Sequence, residues 1–261
     1  MQDTQDSKDD RMIKIAKVGI KNVKHPIFYC DHPLQKQNFP SVASFSFFVE
    51  LPADKKGTHM SRFPSVLYEF APHFTLQRFQ EFALAINQKL ESKVSYLEAN
   101  FPYFYEKYAP VSHSKGLADV QIDLKITGFA QTNSVDTELS ITIPVKSLCP
   151  CSKAISDYGA HSQRSYLNIT VWNPQLSIHN YIEIAESSAS AAVYPILKRI
   201  DEKFITEQAY NNPRFVEDLV REAAIKLKEK NSATRFTVSA ENFESIHNHN
   251  AWAFVDSESI V

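Results

Sequence analysis

Cys149 and His161 stand twelve residues apart in the segment SLCPCSKAISDYGAHSQRS, residues 147–165, where a cysteine leaves an alternating stretch and a histidine follows a turn at Gly159. Thiolate and imidazole both suit a borderline-soft ion, and zinc, iron and manganese accept such ligands to different degrees. Spacing alone fits equally well a buried, unreactive cysteine beside a surface histidine. Cys151 reads either as a second ligand or as a small side chain that only packs. A closed structural zinc site would draw on a further cysteine pair, and only Cys30 is left over, so an open site of the catalytic type is the better reading.

A second group lies in ENFESIHNHNAW, residues 241–252. His247 and His249, two apart, share one side of an extended chain, and Glu244 is close by, so the three are candidates for proton transfer or ligation. Two exposed loop histidines are the plainer alternative. The acids Glu202, Glu207 and Glu217 surround the expected start of the last helix, where the helix dipole alone favours an acid such as Glu217. Lys55, Lys56, His59 and Arg62 form a small basic loop that could meet phosphates or simply be solvated. The chain contains no Walker loop, no GxGxxG, no GxSxG and no zinc-deaminase pattern.

The elements that must position these groups follow from periodicity. Residues 41–51 (SVASFSFFVEL) read as a strand, and after the capping residue Thr75 the positions Phe79, Phe82, Ala83, Ile86 and Leu90 mark one face of a helix. Residues 118–130 and 137–146 alternate as two antiparallel strands about the polar turn QTNSVD. A strand at 165–172, helices at about 178–191 and 214–229, and strands at 234–240 and 251–255 complete the second half. The order strand, strand, helix, helix, strand predicts an α+β architecture with helices on one face of an antiparallel sheet. A similar order in the first half suggests a duplication about residue 134, with modules at 12–134 and 135–261, and residues 1–11, polar and without an apolar period, read as a mobile, disordered tail.

Composition bounds the partners. With 261 residues, 43% hydrophobic and 22% charged, the chain has the make-up of a globular protein, and a net charge of −2 gives no global reason to expect nucleic-acid binding. No apolar run is long enough for a membrane span, and MQDTQDSKDDRM lacks the apolar core of a secretory signal, so no membrane partner and a cytoplasmic location are expected. The three cysteines, two of them as Cys-Pro-Cys, fit a reducing compartment.

Four blocks in one order resemble the signature of the GTP cyclohydrolase IB family: GTHMSRF at 57–63, SLCPCSKAISDYGAHSQRS at 147–165, DEK at 201–203 with TEQAYNNPRFVEDLVRE at 206–222, and NFESIHNHNAWA at 242–253. The resemblance implies a tunnelling fold of two tandem modules, a homotetramer with active sites at subunit interfaces, and GTP as substrate. It implies opening of the guanine imidazole, release of C8 as formate and formation of 7,8-dihydroneopterin triphosphate, the first step towards tetrahydrofolate. It also implies one divalent ion per site, zinc, manganese or ferrous iron, held by Cys149, His161 and Glu202. By the same resemblance Glu217 anchors the guanine edge, and Glu244, His247 and His249 gather around the metal, while His59 and Arg62 lie in a shared block and are taken as substrate contacts. Ala154 and Ser162 depart from the family pattern, but neither matches a ligand. Other enzymes of the same fold that act on purines or pterins, and a non-catalytic metal-containing purine-binding protein, are the alternative readings.

Overall fold

The computed structural model describes residues 5, 7–31, 38–230 and 234–260, which divide into two compact units. The first runs to Tyr103 and adds Ile122–Leu139. It contains β1 (Ile15–Tyr29), β2 (Pro40–Leu51), α1 (Arg62–Phe70), β3 (His73–Phe74), α2 (Leu76–Leu90) and parts of three long strands, β4 (Val94–Tyr108), β5 (Lys115–Phe129) and β6 (Ser134–Leu148). Within it the strand order is β6-β5-β4-β2-β1-β3; β2 is antiparallel to both β1 and β4, and only the two-residue β3 runs parallel to β1.

Alternation drives β2: Ala43, Phe45, Phe47, Val49 and Leu51 are buried at every second position, as one covered sheet face requires. In α2 the Thr75 side chain accepts the Arg78 N–H at 3.1 Å, and the helix stops where Glu91 takes φ 54°. Its buried face packs Phe79 against Phe74 with ring centroids 4.4 Å apart and Phe82 against Phe47 at 5.5 Å. Such aromatic pairs add about 0.5–1.5 kcal/mol each beyond their buried area. The β5–β6 turn is tighter than the expected six polar residues, because Asn133 at φ 49° lets the chain reverse between Phe129 and Ser134.

The second unit comprises Phe104–Gln121 and the chain from Ser140 onward. Besides the remaining parts of β4, β5 and β6 it holds α3 (Pro150–Ile155), β7 (Ser162–Trp172), α4 (Ile178–Ser188), β8 (Ala191–Ala192), α5 (Arg199–Asn211), α6 (Val216–Lys230), β9 (Phe236–Asn242) and β10 (Ala251–Asp256). Its strand order is β10-β9-β7-β6-β5-β4, with β8 pairing β6. β7 and β10 are antiparallel to β9, and α6 packs on β9 and β10 with α4 beside it. The α+β class expected from the second half is therefore present, with a mainly antiparallel sheet.

One expectation needs correction. Glu202 and Glu207 do not flank the last helix; they belong to a separate helix, α5, that periodicity did not reveal. Only Asp201, Ile205 and Ala209 of α5 are buried, too few for an apolar stripe. In the stretch 1–11, residues 1–4 and 6 lie outside the described residues; Lys8 bridges Lys55, and the Asp9 N–H donates to the Asp54 carbonyl at 3.0 Å. Among the described residues no helix is long and apolar enough to cross a membrane.

Candidate active site

β6 delivers Leu148 to the start of α3, and Cys149 caps that short helix, its Sγ accepting the Ser152 N–H at 3.5 Å, with Pro150 in the first helical position. The Cys149 N–H donates to the His161 carbonyl at 3.1 Å. Ser152 closes the loop from both sides: its hydroxyl donates to the Cys149 carbonyl at 3.2 Å and accepts the His161 N–H at 3.2 Å. Gly159, at φ 134°, makes the turn between them, a conformation that favours glycine. Twelve residues of separation are thereby reduced to one backbone contact.

His161 immediately precedes β7, in phase with the inward row of Gln163 and Ser165. Its ring Nδ1 lies 2.9 Å from Gln163 Oε1 and 3.6 Å from a carboxylate oxygen of Glu244. Glu244 arrives through the β7–β9 ladder, in which Ser165 faces Asn242; the Glu244 N–H donates to the Asn242 carbonyl, and the Phe243 N–H to the Arg164 carbonyl. Beneath His161 runs a buried polar row: Gln163 Nε2 donates to Ser147 Oγ at 2.8 Å, Ser147 Oγ meets Ser165 Oγ at 2.8 Å, and Ser165 Oγ donates to Asn242 Oδ1 at 2.7 Å. Sequence reasoning did not single out Gln163, Ser147, Ser165 or Asn242. The available signal was phase: Gln163 and Ser165 share the inward phase of β7 with Leu167, Ile169 and Val171, where a polar residue must find partners.

Glu202 is exposed on α5, three residues before Ile205 and seven before Ala209, hence on their side of the helix. Ile205 and Ala209 pack with Leu148 and Ala191, and Ala160 lies against the same cluster, so this face of α5 is turned towards the Cys149–His161 loop. The start of α5 is fixed by the neighbouring Asp201. Its carboxylate accepts the N–H groups of Val111, Ser112 and Lys198 and the Ser112 hydroxyl at 2.6–3.0 Å. Burial pushes the Asp201 carboxyl up, but these hydrogen bonds outweigh it and hold the group well below the usual carboxylate range. The Arg214 N–H, just before α6, donates to the Leu148 carbonyl at 3.0 Å and brings the exposed Glu217 into the same neighbourhood.

His247 and His249 stand on the exposed turn after Glu244, their rings stacked 5.1 Å apart, so they do share a side although the chain there is not a strand. Glu207 pairs with Lys203 along α5. His59 and Arg62 belong to the first unit, where the Arg62 guanidinium donates to the Lys89 carbonyl at 3.1 Å and lies 3.8 Å from Glu91. Among the described residues no three His, Cys, Asp or Glu side chains close tightly enough to enclose an ion. The donor types nevertheless suit one: Cys149 and His161 are joined by a backbone hydrogen bond, and Glu202 shares the side of α5 that packs towards their loop.

A uricase from Bacillus fastidious superposes with a TM-score of 0.53 over 95% of this chain and 94% of its own, at 11% identity, a likeness of fold alone. The sequence is more specific, since residues 1–253 match the family model described as type I GTP cyclohydrolase FolE2, and the chain belongs to that family. GTP cyclohydrolase FolE2 of Nitrosococcus oceani is 41% identical over 259 residues, covering 99% of this chain and 96% of the relative. GTP cyclohydrolase FolE2 of Syntrophus aciditrophicus is 44% identical over 259 residues, 99% of this chain and 100% of the relative.

Proposed function

We propose that the chain is a metal-dependent GTP cyclohydrolase of the IB type, with the tunnelling fold in two tandem modules. It opens the guanine imidazole of GTP, releases formate and gives 7,8-dihydroneopterin triphosphate. Membership of the FolE2 family supports the activity, and the observation that carries the site is the locked Cys149–His161 pair with Glu244 facing the imidazole.

Cys149, His161 and Glu202 would hold the divalent ion, which when bound supplies Lewis acidity and lowers the pKa of water towards neutrality. Zinc, manganese and ferrous iron all suit a mixed thiolate, imidazole and carboxylate set. The remaining work falls to the chain's own groups. Glu217 accepts two hydrogen bonds from the guanine N1–H and exocyclic amine, fixing the base. Glu244, His247 and His249 give and take the protons that ring opening moves. His59 and Arg62 remain candidate triphosphate contacts, although recruiting Arg62 would cost its bond to the Lys89 carbonyl.

The proposed assembly is a homotetramer. Its support in this chain is the edge strand β10, on which Trp252 and Phe254, 62% and 50% exposed, stack with centroids 5.9 Å apart.

Incubation with GTP and Mn²⁺, followed by assays for formate and for pterin fluorescence after oxidation, tests the activity; absence of both products overturns it. Cys149→Ala is expected to reduce formate release by more than about 100-fold, beyond what loss of a supporting hydrogen bond does. Its circular dichroism should stay unchanged.

A further inference from the structure

We propose that Gln163 is a positioning residue for His161: it fixes the imidazole as the Nδ1–H tautomer and so keeps Nε2 free of hydrogen for ligation. The inference rests on the metal-site reading above and adds to it the part of the chain that prepares the imidazole.

The hydrogen-bond row has a direction. Ser165 spends its one hydroxyl hydrogen on Asn242 Oδ1, so in the contact between the two serines Ser147 must donate. Ser147 Oγ is then open as an acceptor and takes the Gln163 Nε2–H at 2.8 Å. With its amide nitrogen committed to Ser147, Gln163 can offer only Oε1 to His161, and an amide oxygen only accepts. The hydrogen between them must therefore sit on Nδ1.

The row could run the other way only if both amides were turned over, with Asn242 donating, both hydroxyls reversed and Gln163 giving an N–H to a bare Nδ1. Glu244 decides against that arrangement. Its carboxylate oxygen lies 3.6 Å from the same Nδ1, and both groups are largely buried, so a bare Nδ1 would set one lone pair against another with no hydrogen between them. An Nδ1–H satisfies both neighbours. A neutral imidazole carries one ring hydrogen, so placing it on Nδ1 leaves the Nε2 lone pair as the ligating one.

Burial makes the device rigid. Gln163 is 8% exposed, Ser147 and Ser165 are fully buried, and Asn242 is 2% exposed, so water does not substitute for a missing partner. The four residues come from three adjacent strands, β6, β7 and β9, and the orientation of His161 is thereby tied to the sheet rather than to the loop that carries Cys149.

The test uses the full chain freed of metal, titrated with Co²⁺. The thiolate-to-cobalt absorption band reports ligation by Cys149, competition with a chromogenic chelator gives the dissociation constant, and melting of the metal-free proteins checks the fold. The wild type is expected to show the band and Cys149→Ala to lack it. Gln163→Leu, which removes acceptor and donor at similar volume, is expected to bind Co²⁺ about 10- to 100-fold more weakly. Gln163→Glu keeps an acceptor for the Nδ1–H and should recover most of the affinity. Should the leucine variant melt early, Ser147→Ala carries the test: it leaves Gln163 in place, removes the oxygen that holds its amide, and should weaken binding about threefold or more. Wild-type affinity in Gln163→Leu, in a folded Ser147→Ala, or equal weakness in the glutamate variant overturns the inference. No Cys149-dependent band in the wild type overturns the metal site itself, and the inference with it.

Discussion

Glu217 and Asp218, side by side in the first turn of α6, do different work. Asp218 Oδ2 accepts the Phe215 N–H at 2.9 Å and so meets the need of the helix start, while Glu217 stays exposed. The helix dipole favours an acid at either position, and of the two only Asp218 makes the bond to the Phe215 N–H. Glu217→Ala is expected to leave the melting temperature nearly unchanged and to lower kcat/KM for GTP by about 100-fold, the loss of two hydrogen bonds to a charged acceptor. A change below about threefold would remove it from the guanine site. At this scale the sequence was uneven as a guide. Spacing alone left Cys149 and His161 open between a ligand pair and an inert cysteine beside a surface histidine, and the four-block resemblance made them candidate ligands; their backbone contact was not legible, because it depends on Ser152 bonding to both ends. Gln163 was silent because glutamine on a strand carries no motif, and only its phase on β7 marked it as buried.

Among the elements, those with an apolar stripe were readable and α5, which has none, was not. The face Phe79, Phe82, Ala83, Ile86 and Leu90 of α2 is buried as its spacing predicts. By contrast α5 is held by Asp201, whose partners Val111 and Ser112 lie about 90 residues away in the chain, and no local pattern encodes such a contact. A similar long-range tie joins β4 to α4: the Lys107 ammonium bonds Glu186 and sits 4.4 Å above the centre of the Tyr194 ring. Burial depresses the Lys107 pKa while Glu186 opposes the shift, so the pair stands or falls together. Lys107→Met, which strands Glu186, should cost about 3 kcal/mol by chemical denaturation, and adding Glu186→Leu should recover most of it. A single-variant loss no larger than that of the double variant would show that the pair contributes nothing.

At the scale of the whole molecule, composition excluded little, and the repeated order of elements suggested a duplication about residue 134. The units exchange residues at Tyr103, Gln121 and Leu139, within strands that a linear boundary near residue 134 would leave whole or cut once. The proposed assembly likewise has no periodic trace in the sequence and rests on the apolar surface of β10. A charge there, as in Trp252→Lys, is expected to convert the proposed tetramer to smaller species in light scattering, and an unchanged mass would remove β10 from the contacts. That strand also gives the protein an optical readout of its own. Of its two tryptophans, Trp172 lies beneath the Arg235 guanidinium, 4.4 Å from the ring centre, whereas Trp252 is the ring that solvent reaches most. In a Trp172→Phe background, tryptophan emission would come from β10 alone, and its colour would follow association as the solvent around that one indole is replaced by protein.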